Sequence, residues 1–163
     1  MTHATGVVAK TFREDVISTF AERLAEIQTA NGFFTDAGLQ LFIDEVPTLG
    51  PDDPPVAIAI GIGEDRVPYN QNEKILVQLP IDVSAIVRVD VVDGWRQREW
   101  ILADIKKALE TPERTLGGLI PDRMRRTSTK SMRREPGSTV MGASVTYTFD
   151  YGEPWGGHVA VTP

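Results

Sequence analysis

Two rhythms of apolar residues run along this chain. The first is helical. Thr11 and Glu14 stand at capping-box spacing. Ile17, Phe20, Leu24 and Ile27 then recur on one stripe, with Glu22, Arg23, Glu26 and Gln28 off it. Asn31-Gly32 supplies a stop, since glycine readily takes the left-handed conformation that closes a helix. The pattern predicts a helix over 12–30. A second helix opens at Asp93-Gly94, carries an apolar stripe of Ile101, Leu102, Ile105, Ala108 and Leu109, and ends at Thr111-Pro112, with Trp95 and Trp100 in its first turns.

The second rhythm has period two, the mark of strands. Leu39, Leu41 and Ile43 form a short one. After the loop Gly50-Pro51-Asp52-Asp53-Pro54-Pro55, residues 56–62 place Val56, Ile58, Ile60 and Ile62 on one face and Ala57, Ala59 and Gly61 on the other. A face so small predicts a central strand with a close neighbour. Residues 64–73 read as a polar loop. Alternate residues from Ile75 to Val91 are apolar, predicting an unusually long strand bent near Pro80, with one end projecting beyond the core. Gly117-Gly118 marks a turn, and residues 120–131 read as extended and basic. A last strand runs over 141–150, and the Gly- and Pro-rich residues 152–163 read as a flexible or partner-ordered arm.

Strands that come in groups, with two helices between them, predict an α+β fold: a mostly antiparallel sheet with both helices packed on one face. No repeat, low-complexity stretch or boundary divides residues 1–163, so one domain is expected.

Composition narrows the chemistry. The chain has no Cys and two His, His3 and His158, near its ends. That removes disulfides, thiolate metal sites and most histidine-based catalysis. The first ten residues lack the basic start and apolar core of a signal peptide. The longest apolar run, Val56 to Ile62, is far short of the roughly 20 residues that span a bilayer. A soluble intracellular product without membrane contact is expected.

Three local features bear on possible chemistry. Gly61-Ile62-Gly63 follows a strand, but it lacks a third glycine, a Gly-Lys-Ser/Thr and a helix directly after, and Glu64-Asp65 would repel phosphate. It reads as a strand end entering a loop. The acidic pairs Asp52-Asp53 and Glu64-Asp65 cannot by themselves converge enough oxygens on a hard cation. None of the serines sits in Gly-x-Ser-x-Gly, and no internal His could serve one as base. The expectation is a non-enzyme with no cofactor and no metal.

Charge is distributed unevenly. Between Arg114 and Arg134 seven cations face the single acid Asp122, a net of +6. Since the whole chain carries −6, the remainder carries −12. Such a block could bind phosphates, but no Phe, Tyr or Trp lies within it to stack bases. It could guard an exposed sheet edge. It could also meet the acidic face of a neighbouring copy in a head-to-tail assembly.

The module order resembles a known family. The string from Ile17 to Ile27 is followed by Ala30-Asn31-Gly32-Phe33-Phe34-Thr35-Asp36-Ala37-Gly38, the loop Pro51 to Pro55, Leu79-Pro80-Ile81, the helix core Ile101 to Leu109, and Arg114-Thr-Leu-Gly-Gly-Leu119. Together these resemble the tail terminator (tail completion) proteins of long-tailed bacteriophages, over roughly Phe12 to Asp150. The resemblance implies a non-enzymatic virion protein that forms a ring, a homohexamer, on the last ring of the tail tube. It ends tube polymerisation, joins the tail to a head-completion or neck protein, and lets genomic DNA pass through its lumen without sequence-specific binding. The resemblance also implies a virion location, in tail or neck, with assembly in the host cytoplasm.

The family offers no residue motif to carry over. Charge and exposure alone select Arg123, Arg125, Arg126, Arg133 and Arg134 for subunit or lumen contacts. They also select Glu64, Asp65, Arg66, Tyr69 and Glu73 for contact with tube or neck. Other expectations are a head-closure or adaptor protein, or a nucleic-acid-binding module using residues 114–134.

Overall fold

The computed structural model describes residues 11–70 and 74–155. Six strands form one mixed, mostly antiparallel sheet: β1 (Leu41–Ile43), β2 (Val56–Ile62), β3 (Arg66–Asn70), β4 (Lys74–Arg88), β5 (Arg125–Ser131) and β6 (Val140–Pro154). Helices α1 (Phe12–Ala25) and α2 (Gly94–Glu110) complete an α+β fold. The strand order is β1-β2-β4-β6-β5, and β3 pairs with the end of β4 that extends past β2. Among the described strands only the β1–β2 pair is parallel.

Both helices lie on one face, as the apolar rhythm predicts. Odd-numbered residues of β4 from Val77 to Val87 and of β6 from Ala143 to Tyr151 are buried in the same cluster as Phe20, Leu24, Ile101, Ile105 and Leu109. Phe20 meets Tyr147 edge-on, with ring centres 6.2 Å apart. Complete burial of each such side chain contributes about 1.5–3 kcal/mol. Among the described residues the opposite face carries no helix. There Ser84, Ser144, Thr146 and Thr148 stand half-buried, beside a small apolar island of Ala57, Ala59 and Ile86 capped by Phe42, Leu49 and Val140. The small face of β2 therefore has the close neighbour its sequence predicts.

The capping box at α1 forms as expected: the Thr11 amide donates to Glu14 and the Glu14 amide to the Thr11 hydroxyl. The helix ends five residues earlier than its pattern predicts. Gln28 is extended, and residues 29–31 make a separate 3-10 turn closed by left-handed Gly32. The reason lies downstream. Gly38 donates to the Ile27 carbonyl and packs so closely that a Cβ there would sit 2.4 Å from the Leu24 carbonyl oxygen. The buried stripe is Phe12, Val16, Phe20 and Leu24; Ile17 stands half-exposed beside it.

Residues 64–73 are not simply a loop. Residues 66–70 form β3, and its pairing with β4 shifts between Arg66 and Tyr69. Pro68 falls in this irregular edge strand, where a residue without N–H is tolerated. Pro80 is placed by the same logic. It lies where the neighbour of β4 changes from β2 to β3, and its carbonyl accepts from Gly63. A Cβ on Gly63 would come within 2.7 Å of the Pro80 ring, so this glycine serves a close approach rather than a phosphate. The extended end of β4 is flanked by β3 and β6 and covered by Phe12, so it is not a bare projection. β6 continues to Pro154, so residues 152–154, expected in the arm, are strand paired with β4. Residues 156–163 and Glu73 lie outside the described residues. The basic segment becomes strand only at Arg125; before it, Ile120 and Met124 are buried anchors of a turn.

Candidate assembly interface

The basic block occupies one edge of the sheet. β5 pairs with β6 alone among the described strands, and all seven of its residues are exposed. Its cations fall into two groups. Arg125 pairs with Asp150 on β6 at 3.2 Å, and Arg126 with Glu110 at the end of α2 at 3.3 Å. Glu110 also accepts from the Tyr147 hydroxyl at 3.0 Å. Burial, reinforced by Glu110, raises that phenol well above its ordinary range. Two of the five selected arginines, Arg125 and Arg126, thus have acid partners within their own chain. Arg123, Lys130, Arg133 and Arg134 are exposed and form no ion pair among the described residues.

The far edge of the same sheet is acidic. Among the described strands β1 pairs with β2 alone, and residues 41–53 hold Asp44, Glu45, Asp52 and Asp53 with no Lys or Arg. The loop after β1 is held in place by Arg88. Its guanidinium donates to the carbonyls of Gly50, Pro51 and Asp53 and pairs with Asp90. Asp53 in turn accepts from the Gly50 amide. Apolar side chains flank this edge: Leu39 is 65% and Ile43 45% exposed.

The residues selected for tube or neck contact are scattered. Glu64 and Arg66 are exposed, whereas Asp65 reaches back to Arg13 of α1 at 3.6 Å. Tyr69 is on β3 with its side chain outside the described residues, so only its backbone place is known.

Two acids that the sequence reading passed over organise the loops near these edges. Asp104, on the buried stripe of α2, is 1% exposed. It accepts from the amides of Phe34 and Thr35 and from the Thr35 hydroxyl, at 2.8–3.0 Å. That sets Phe34 parallel to Trp100, centres 6.1 Å apart. Phe34 and Leu39 then line a groove of about 400 Å³ with Pro54, Pro55, Val56 and Val91. An acid within the run Ile101-x-x-Asp104-Ile105-x-x-Ala108 was the available signal. Glu113 pairs with Arg23 and accepts from Thr115 and Gly117. The Thr115 hydroxyl foremost, with the Gly117 amide and Arg23, holds its carboxyl down at about 2.

Among the described residues, no three His, Cys, Asp or Glu side chains gather as metal ligands, and no helix is long and apolar enough to cross a membrane. No protein-family model matches the chain, and no curated protein matches its sequence.

Proposed function

We propose that this chain is the subunit of a closed ring, a tail terminator that caps the tail tube of a long-tailed phage, ends its polymerisation and joins it to the neck. The observation that carries this reading is the β5 edge. A seven-residue strand stands exposed along its length, and four nearby cations form no ion pair among the described residues. Head-to-tail association of identical subunits needs one such surface and a different, complementary one elsewhere on the molecule. The chemistry is assembly, and the partners are further copies of the chain, the tube protein, a head-completion protein and the DNA that crosses the lumen.

Native mass measurement and negative-stain imaging of the purified chain test the reading. A closed ring, sixfold by the resemblance, is expected. Reversing Lys130, Arg133 and Arg134 to Glu is expected to leave monomers with an unchanged melting temperature. These three test assembly more cleanly than Arg125 and Arg126, whose reversal also breaks internal pairs. A wild-type monomer that binds DNA with a steep dependence on salt overturns the proposal in favour of nucleic-acid binding.

A further inference from the structure

Among the described residues β1, β5 and the short, irregular β3 are edge strands, and the backbones of β1 and β5 match. β1 is held to β2 by bonds at alternate residues: the Gln40 carbonyl accepts from Ile58, and the Asp44 amide donates to Ile60. Strand alternation therefore turns the main-chain groups of Leu41 and Ile43 away from β2. On β5 the Met132 amide donates to the Gly142 carbonyl. With Lys130 opposite Ser144, the same alternation turns Thr129 and Ser131 away from β6.

Faces agree as well. Leu41 and Ile43 stand opposite Ile58 and Ile60, on the helix side. Thr129 and Ser131 stand opposite Val145 and Ala143, also on the helix side. Directions agree too. From β1, which is parallel to β2, three antiparallel steps lead to β5, so β1 and β5 run oppositely within one molecule. A rotation that keeps the helices of two copies on the same side therefore brings β5 of one antiparallel to β1 of the next.

We infer that the sheet runs on from subunit to subunit: the occupant of the β5 edge is the β1 edge of a second copy, with Ile43 opposite Thr129 and Leu41 opposite Ser131. The inference rests on the ring-forming reading and names the two surfaces that close the ring. Charge agrees with this register. Asp44 and Glu45, exposed just after β1, fall toward the end of β5 that carries Arg125 and Arg126, beside their internal partners Asp150 and Glu110. A three-residue strand supplies few hydrogen bonds, so charge pairing and the exposed Leu39 and Ile43 carry much of the association.

Because the chain has no cysteine, a crosslink reports only the pair introduced. Cα atoms of a hydrogen-bonded antiparallel pair lie about 5.5 Å apart, within the span a disulfide bridges. The double variant Ile43→Cys/Thr129→Cys, mildly oxidised and run on a non-reducing denaturing gel, is expected to give a ladder of covalent multimers up to the ring size. Either single variant gives dimers at most. Leu41→Cys/Ser131→Cys is a second pair in the same register, used if the first variant fails to fold. A ring by native mass with no ladder beyond dimers from a folded pair overturns the β1–β5 pairing and leaves the ring reading standing. A wild-type chain that stays monomeric removes both.

Discussion

The two faces of the sheet are built on opposite principles. The helix face is a continuous apolar layer in which β4 and β6 contribute every second residue and both helices cover it. The open face is ranked Ser and Thr, with one apolar island around Ile86. Substitution should therefore act through stability on the first face and leave stability almost untouched on the second. On the proposed ring, substitutions at the edges should act on association instead.

The largest effect is expected in the covered layer. Phe20→Ala removes a fully buried ring that meets Tyr147 and should cost about 3–5 kcal/mol in denaturant unfolding. A loss below 1 kcal/mol would break the contrast between the faces. Next comes Asp104→Ala, which leaves the Phe34 and Thr35 amides without their acceptor and should cost about 1–3 kcal/mol. Loss of the Phe34–Trp100 stack should accompany it as a change in tryptophan emission. Thr11→Ala, which breaks the capping box at the start of α1, should cost about 1 kcal/mol.

A smaller effect depends on pH. The Glu113 carboxyl is held at about 2 when folded, below its ordinary 4.5. Its contribution is complete above pH 4.5 and is lost as the pH falls toward 2. Glu113→Gln should flatten the acid side of the stability curve in that window, and an acid limb as steep as before would remove Glu113 from the account. Smallest of all, Ser144→Ala on the open face should shift stability by no more than about 0.5 kcal/mol. A larger loss would mean that the open face shares in holding the fold.

The contrast also explains what could be read from the residues alone. Period two in β2, β4 and β6 and the stripe of α2 are consequences of one apolar side, so they are visible in one dimension. The early end of α1 is not, because it depends on Gly38 arriving against carbonyls at 24, 25 and 27 from further along the chain. β3 was hidden because its pattern is interrupted by Pro68 and an irregular register. The basic block was legible as a run of charges. Its division into arginines answered by Asp150 and Glu110 and cations that form no ion pair among the described residues was not, since those acids are 25 and 16 residues away and meet it only through the sheet and α2.

β6 is the last described strand in the chain, yet it lies between β4 and β5. Its fifteen residues pair with β4 in one unbroken register that joins Lys74 to Pro154. Such contacts are distant along the chain, and distant contacts slow folding. During synthesis, α1, α2 and the other strands emerge before the strand that completes their shared layer. Until then Val77 to Val87 present an apolar face with one neighbour missing. The chain should consequently acquire its native fold late, after β6 has left the ribosome, and truncations ahead of Val140 should aggregate or recruit chaperones rather than persist as folded fragments.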